Sequence, residues 1–279
     1  MAAPARLPIN ARDLVRWLAE DVAPALPGDT EVVAHGGTAL TLRRLKPATK
    51  DMDFGFRTRA DFERFASALS AIGYRVTRDF RPNPREVYLR LERPDGPVGE
   101  VDLRFPTWNN WRLTDAVLGR ADILSFGRAR VVLPSREAIF LFKTYPLREA
   151  DLDDLRAVLD VSPPNQDAVI ALFGEQDGIH RRELMADVDH EPLFRLVELR
   201  TRFAGSFALL GRSYRARVPR VAKHAGERFR QLRLGVSLGD LLALLRDPER
   251  LVDWDDVLGD DAERLRRRLS RTAREAKEG

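Results

Sequence analysis

The sequence contains no cysteine among its 279 residues. Disulfides and thiolate metal sites are therefore excluded, and the chain reads as an intracellular, cytoplasmic protein. It also lacks any run approaching the ~18 consecutive apolar residues that a membrane span needs. Residues Met1 to Asn10 are rich in Ala and Pro and hold no apolar stretch, so no signal peptide is expected. There is no internal repeat and no low-complexity tract. One further scarcity is local. From Arg202 to Arg233 the chain carries nine basic residues and a single acid, Glu227.

What is present divides the chain in two. The 44% hydrophobic content suffices for a real core. Residues 1–134 read as mixed α/β. The spacing predicts helices over 12–23, 38–45 and 60–72, the last closed by Gly73. It predicts strands over Glu31–Ala34, Lys50–Phe56, Tyr74–Thr77, Glu86–Glu92, Val98–Phe105 and Arg128–Leu133. Residues 135–279 read as a helical domain. Ser135 caps a helix that runs to Tyr145, where Pro146 breaks it, and a second helix spans about Glu149 to Leu159. Further helical segments are expected over 166–173, 180–187, 191–208, 212–232, 237–246 and 261–276.

Charge follows the same division. Residues 151–200 hold 5 basic and 12 acidic side chains, whereas 201–250 hold 11 basic and 4 acidic. The overall net charge of +4 averages this pattern away. Arg212, Arg215, Arg217, Arg220, Lys223, Arg228 and Arg230, interleaved with Tyr214 and Phe229, form a candidate RNA-binding face. The plain alternative is a helix presenting arginines to solvent or to the acidic 151–191 segment.

The strongest signal is acidic. On a strand, residues two apart share a face. Asp51 and Asp53 would then lie on one side of Lys50–Phe56, with Met52, Phe54 and Phe56 on the core side and nothing bulky at Gly55 to block approach. Glu100, Asp102 and Arg104 alternate with Val101, Leu103 and Phe105 in the same way. If the two strands pair, three carboxylates converge. Oxygen ligands of this kind suit Mg²⁺ or Mn²⁺. An isolated Asp-x-Asp is more often a charged strand edge, but here a glycine turn precedes it. Val32-Val33-Ala34-His35-Gly36-Gly37-Thr38 reads as strand, turn and helix start, where free amides and the Thr38 hydroxyl favour phosphate oxygens. His35 reads as structural. Arg43, Arg44 and Lys46 read either as phosphate contacts or as a solvated loop.

Gly36-Gly37-Thr38-Ala39-Leu40, Thr49-Lys50-Asp51-Met52-Asp53-Phe54 and Val101-Asp102-Leu103 resemble the minimal nucleotidyltransferase fold of the DNA polymerase β superfamily. Within it they are most similar to the AbiEii-type group, toxins of abortive-infection and toxin–antitoxin systems. Phe142-Lys143 followed by Arg148, Asp151 and Asp154-Leu155 is similar to that group's later helical motif. The resemblance covers roughly residues 31–160. It implies an α+β fold, a small mixed sheet flanked by helices, followed by a helical C-terminal domain. It implies that Gly36, Gly37, Thr38 and Lys50 hold an NTP, that Asp51, Asp53 and Asp102 bind the metal, and that Lys143 contacts the nucleotide phosphates, with Arg148, Asp151 and Asp154 beside it. A plainer reading of Lys143 is a lysine snorkelling beside Phe140 and Phe142. The expected reaction is transfer of an NMP from an NTP to a hydroxyl, with a tRNA 3′ end as acceptor and a cognate antitoxin as partner. A protein or small-molecule acceptor, or a silent nucleotide- or RNA-binding module, are the alternatives.

Overall fold

The computed structural model describes residues 8–83, 86–108, 111–143, 149–186 and 267. By its internal contacts the chain divides into two compact units, Met1–Leu172 and Phe173–Gly279. The expected helical segments beyond 187, Arg148 and the basic residues from Arg212 to Arg230 lie outside the described residues.

The chain opens with β1 (Ile9–Asn10) and α1 (Ala11–Arg16), continues through a π-helical turn (Trp17–Val22), and ends its first helix as α2 (Ala23–Ala25). Next come β2 (Thr30–Ala34), α3 (Gly36–Leu42), β3 (Ala48–Thr49), β4 (Met52–Gly55) and α4 (Arg59–Ala71). A run of strands follows: β5 (Arg75–Asn83), β6 (Glu86–Glu92), β7 (Glu100–Phe105), β8 (Thr107–Trp108) and β9 (Trp111–Arg112). Helix α5 (Asp115–Leu118) leads to β10 (Asp122–Phe126) and β11 (Ala129–Leu133). Helices α6 (Arg136–Lys143), α7 (Glu149–Val161) and α8 (Gln166–Ala186) complete the described chain.

Seven strands form one mixed sheet in the order β10-β11-β2-β4-β7-β6-β5. β11 with β2, and β4 with β7, run parallel; the other neighbours are antiparallel. The fold is thus the mixed α/β arrangement expected for residues 1–134. Both faces of the central strands are covered, which is why β2 reads as a continuous apolar run. On one face Phe54 packs against Trp17 (ring centroids 6.3 Å apart) and Phe65 (5.2 Å), and Phe56 meets Phe62 and Phe65, each at 5.5 Å. On the other, His35 meets Phe142 of α6 at 4.9 Å. Helix α4 is capped as its sequence predicts: the Thr58 hydroxyl accepts from the Asp61 N–H, and Gly73 takes φ +95° after the last turn.

Several expected boundaries move. The strand expected over Lys50–Phe56 is shorter, Met52–Gly55, because Thr49 pairs instead with Ile9 of β1 and the chain bends between the two. Helix α3 begins at Gly36, inside the glycine motif, rather than at residue 38. Strand β5 extends to Asn83, well beyond Thr77, as a charged edge strand whose register slips twice against β6. Strand β10 has no counterpart in the sequence reading: at the other sheet edge and largely exposed, it lacks an alternating pattern. Residues 166–186 form one helix, not two, because Gly174 and Gly178 weaken a helix without ending it. Among the described residues, no helix is long and apolar enough to cross a membrane.

Candidate active site

The parallel pairing of β4 with β7 sets Asp53 directly opposite Asp102. The antiparallel pairing of β6 with β7 sets Arg90 on the far side of Asp102. Since cross-strand partners point the same way, these three side chains share a face. Asp51 reaches the same place from the bend before β4, not from the strand itself. Together they line a cavity of about 220 Å³ with His35, Gly36, Arg104, Trp108, Ile139, Phe142, Lys143 and Asp151.

The glycine motif is built around the acidic one. Gly36 has φ +52°, and a Cβ there would overlap the Asp53 carboxylate. A Cβ at Gly37 would overlap the Thr49 hydroxyl. The Thr38 hydroxyl accepts a hydrogen bond from the Asp53 N–H at 2.8 Å and turns its proton toward Met52 Sδ at 3.8 Å. Of the three, Gly36 lines the cavity, while Gly37 and Thr38 are buried behind it. In this structure the Thr38 hydroxyl therefore serves the placement of Asp53. Gly55 is likewise small for a different reason than expected. A Cβ there would lie 2.7 Å from His35 Nε2, so the missing side chain makes room for His35 and not for a ligand.

The carboxylates are treated unequally. Asp102 is buried and held on three sides: the Tyr88 hydroxyl (3.0 Å) and Arg90 Nε (2.9 Å) donate to Oδ1, and Arg90 Nη2 donates to Oδ2 at 2.9 Å. Arg90 also pairs with Glu100 at 2.9 Å. Among the described residues, Asp53 has no such partner. Burial, and after it the charges of Asp51 and Asp102, push its carboxyl up to about 8, against the opposing pull of Lys143 and Arg104. Among the described residues, no three His, Asp or Glu side chains converge as a ready-made metal cage.

His35 is buried, stacked on Trp108 with centroids 4.5 Å apart, and neither ring nitrogen has a hydrogen-bond partner. Burial, with Arg104 adding to it, pushes its pKa down to about 3, so the ring is neutral and packs as an aromatic plate.

Lys143, at the end of α6, is buried and ion-paired rather than snorkelling. Its Nζ lies 2.8 Å from Asp151 and 2.7 Å from Asp154, both on α7. Burial alone would lower its pKa, but the two carboxylates outweigh that and raise it. Lys46 adds a second cation to Asp154 at 2.9 Å. Arg43 serves the scaffold, bonding the carbonyls of Leu133 and Pro134 and pairing with Asp122. Lys50 is exposed and does not line the cavity.

Tyr88, Arg90, Arg104 and Trp108 also line or support the site, although they belong to none of the sequence motifs. For Arg104 the signal was there, because it alternates with Asp102 on the same strand. Tyr88 and Arg90 needed the β6–β7 register, which no local pattern supplies.

No family model matches the chain. No curated protein matches it either. A solved structure to which it is similar is that of an antigenic nucleotidyltransferase-like protein from Paracoccidioides brasiliensis, at 17% identity, covering 61% of this chain and 89% of that one, with a TM-score of 0.37.

Proposed function

We propose that this chain is a metal-dependent nucleotidyltransferase, transferring an NMP from an NTP to a hydroxyl and releasing pyrophosphate. The observation that carries the reading is the register of β4 and β7, which brings Asp53 opposite Asp102 in one cavity with Asp51. The motif resemblance carried by Gly36-Gly37-Thr38 and Asp51-Met52-Asp53 supports the same conclusion.

The donor set fits a hard divalent ion such as Mg²⁺ or Mn²⁺. Asp51 and Asp53 offer carboxylate oxygens that no described residue engages in an ion pair, and burial together with the charges of Asp51 and Asp102 drives Asp53 toward protonation. Asp102, with three hydrogen bonds already made, retains one lone pair. Water and phosphate oxygens would fill the remaining positions, as is usual for Mg²⁺. A bound ion supplies charge neutralisation at the phosphates and acidifies the attacking hydroxyl.

The protein's own groups do the rest. Gly36 leaves the floor of the cavity open beside Asp53. Arg90 and Tyr88 keep Asp102 in one orientation, so the carboxylate cluster needs no rearrangement during reaction. His35, Trp108 and Phe142 form an apolar wall that limits water. The hydroxyl oxygen bonds to the α-phosphorus, the bond to the pyrophosphate oxygen breaks, and the hydroxyl proton leaves to the carboxylate cluster.

The narrower reading is an AbiEii-type toxin acting on a tRNA 3′ end in the cytoplasm, with a cognate antitoxin. The buried Lys143–Asp151–Asp154 cluster supports it, because the resembling motif calls for those residues together. The test incubates the full chain with each α-labelled NTP, Mg²⁺ or Mn²⁺, and tRNA, a protein pool or an aminoglycoside. Labelled tRNA is the expected product. Substituting Asp51→Ala or Asp53→Ala should lower the rate by ~10²–10³-fold or more while the chain stays folded. Undiminished transfer by a folded double variant would overturn the assignment, and label on protein or antibiotic instead would reassign the acceptor.

A further inference from the structure

Three cations line the cavity: Arg90, Arg104 and Lys143. Two are neutralised. Arg90 is bonded to Asp102 and Glu100, and Lys143 to Asp151 and Asp154. Arg104 differs. It lies opposite both Gly55 on β4 and Tyr88 on β6, two residues beyond Asp102 on the same face of β7. Its guanidinium carbon sits 4.5 Å from the Tyr88 ring centroid and 5.3 Å from that of Trp108. Its buried Nε has no hydrogen-bond partner, and among the described residues the guanidinium makes no ion pair.

Such an arrangement is costly without a ligand. Ring faces compensate a cation only in part, and a buried donor left unpaired forfeits its solvation. Four carboxylates line the same cavity, those of Asp51, Asp53, Asp102 and Asp151, yet none pairs with this guanidinium. The aromatic faces hold the planar group in a fixed orientation, as suits an arginine that recognises an anion by its two-pronged edge. The cavity thus has an acidic side suited to a divalent ion and a separate cationic point.

We propose that Arg104 binds the terminal phosphates of the nucleotide, and so the pyrophosphate that leaves. This rests on the nucleotidyltransferase reading above and adds to it a residue for the polyphosphate end. Chemistry favours phosphate over a carboxylate ligand, because a polyphosphate spans from a divalent ion at Asp51 and Asp53 to a guanidinium, satisfying both sides at once.

The experiment measures binding of inorganic tripolyphosphate, ATP and AMP, each with Mg²⁺, to the full chain by titration calorimetry. Tripolyphosphate isolates the phosphate contact from base and sugar, and AMP lacks the terminal phosphates. Arg104→Gln should weaken tripolyphosphate and ATP by ~10–100-fold, the worth of a lost charge-assisted bond, and leave AMP unchanged. Arg104→Lys, which keeps the charge without the fork, should fall between. Arg104→Met keeps the stem against Tyr88 and Trp108 and provides the same readout if glutamine disturbs the fold. Wild-type tripolyphosphate affinity in a folded Gln or Met variant would overturn the role of Arg104 while the nucleotide reading stands. Failure of the wild-type chain to bind both ATP and tripolyphosphate would overturn the two together.

Discussion

Asp53 is the residue on which the electrostatics of the site turn. Its carboxyl is pushed up to about 8, far above the ordinary carboxylate value near 4. The sign of the consequence follows from linkage. Below about pH 4 the group is neutral whether the chain is folded or not, and it contributes no pH dependence. Between about 4 and 8 the unfolded chain releases the proton while the folded chain keeps it, so stability falls as pH rises through that window. The divalent ion proposed at Asp51 and Asp53 would replace the proton and reverse the loss. The expected outcome is a thermal midpoint in EDTA that declines from pH 5 to pH 8, and a Mg²⁺-induced rise that is larger at pH 8 than at pH 5. Asp53→Asn should flatten both trends. A wild-type midpoint indifferent to Mg²⁺ at pH 8 would count against a cation there. None of this was visible in the sequence, where Asp51 and Asp53 look equivalent. The bend after Thr49 and the Asp53–Asp102 register distinguish them.

At the scale of elements, the glycine turn and the acidic strand are one construction. Gly36 in the left-handed region and the Thr38 hydroxyl on the Asp53 amide bring α3 close to β4, and Gly37 against Thr49 brings it close to β3. Gly36→Ala would combine an unfavourable φ with an overlap on the Asp53 carboxylate. It should cost about 1–3 kcal/mol of stability and displace Asp53, so transfer activity should fall further than the stability loss explains. Denaturant unfolding and NMP-transfer rates, read together, check this. The alternation in Glu100–Phe105 made the β7 face legible, and the apolar run before His35 made β2 legible. Strand β10 and the outer half of β5 were not legible. Both lie at sheet edges, where exposure removes the period-2 signal that burial imposes. The Lys143 cluster was legible only as a spacing. That Asp151 and Asp154 both reach one buried ammonium depends on how α7 packs on α6.

For the molecule as a whole, the uneven charge along the chain is the feature that bears on the acceptor. The stretch from Arg202 to Arg233 carries nine cations and one acid, and composition alone reveals it. If an RNA backbone is what it meets, affinity should fall steeply with salt, by at least ~10-fold between 50 and 200 mM, as counterion release requires. Replacing Arg215, Arg217 and Arg220 with Gln should reduce that slope and spare NTP binding. Filter binding of tRNA across a salt series measures both, and equal affinity at the two salt concentrations would remove RNA from the proposal.

The order of the sheet also has a temporal consequence. Strand β2 sits between β4 and β11, and β4 sits between β2 and β7, so neighbours in space are drawn from segments distant along the chain. Asp53 and Asp102 meet only after the segment through Phe105 has been made, and β2 gains its second neighbour only once Leu133 has followed. On a ribosome, then, the emerging polypeptide carries the glycine turn and the first two carboxylates without an assembled cavity until Asp151 has followed, and the activity proposed for it starts only with the sheet already formed.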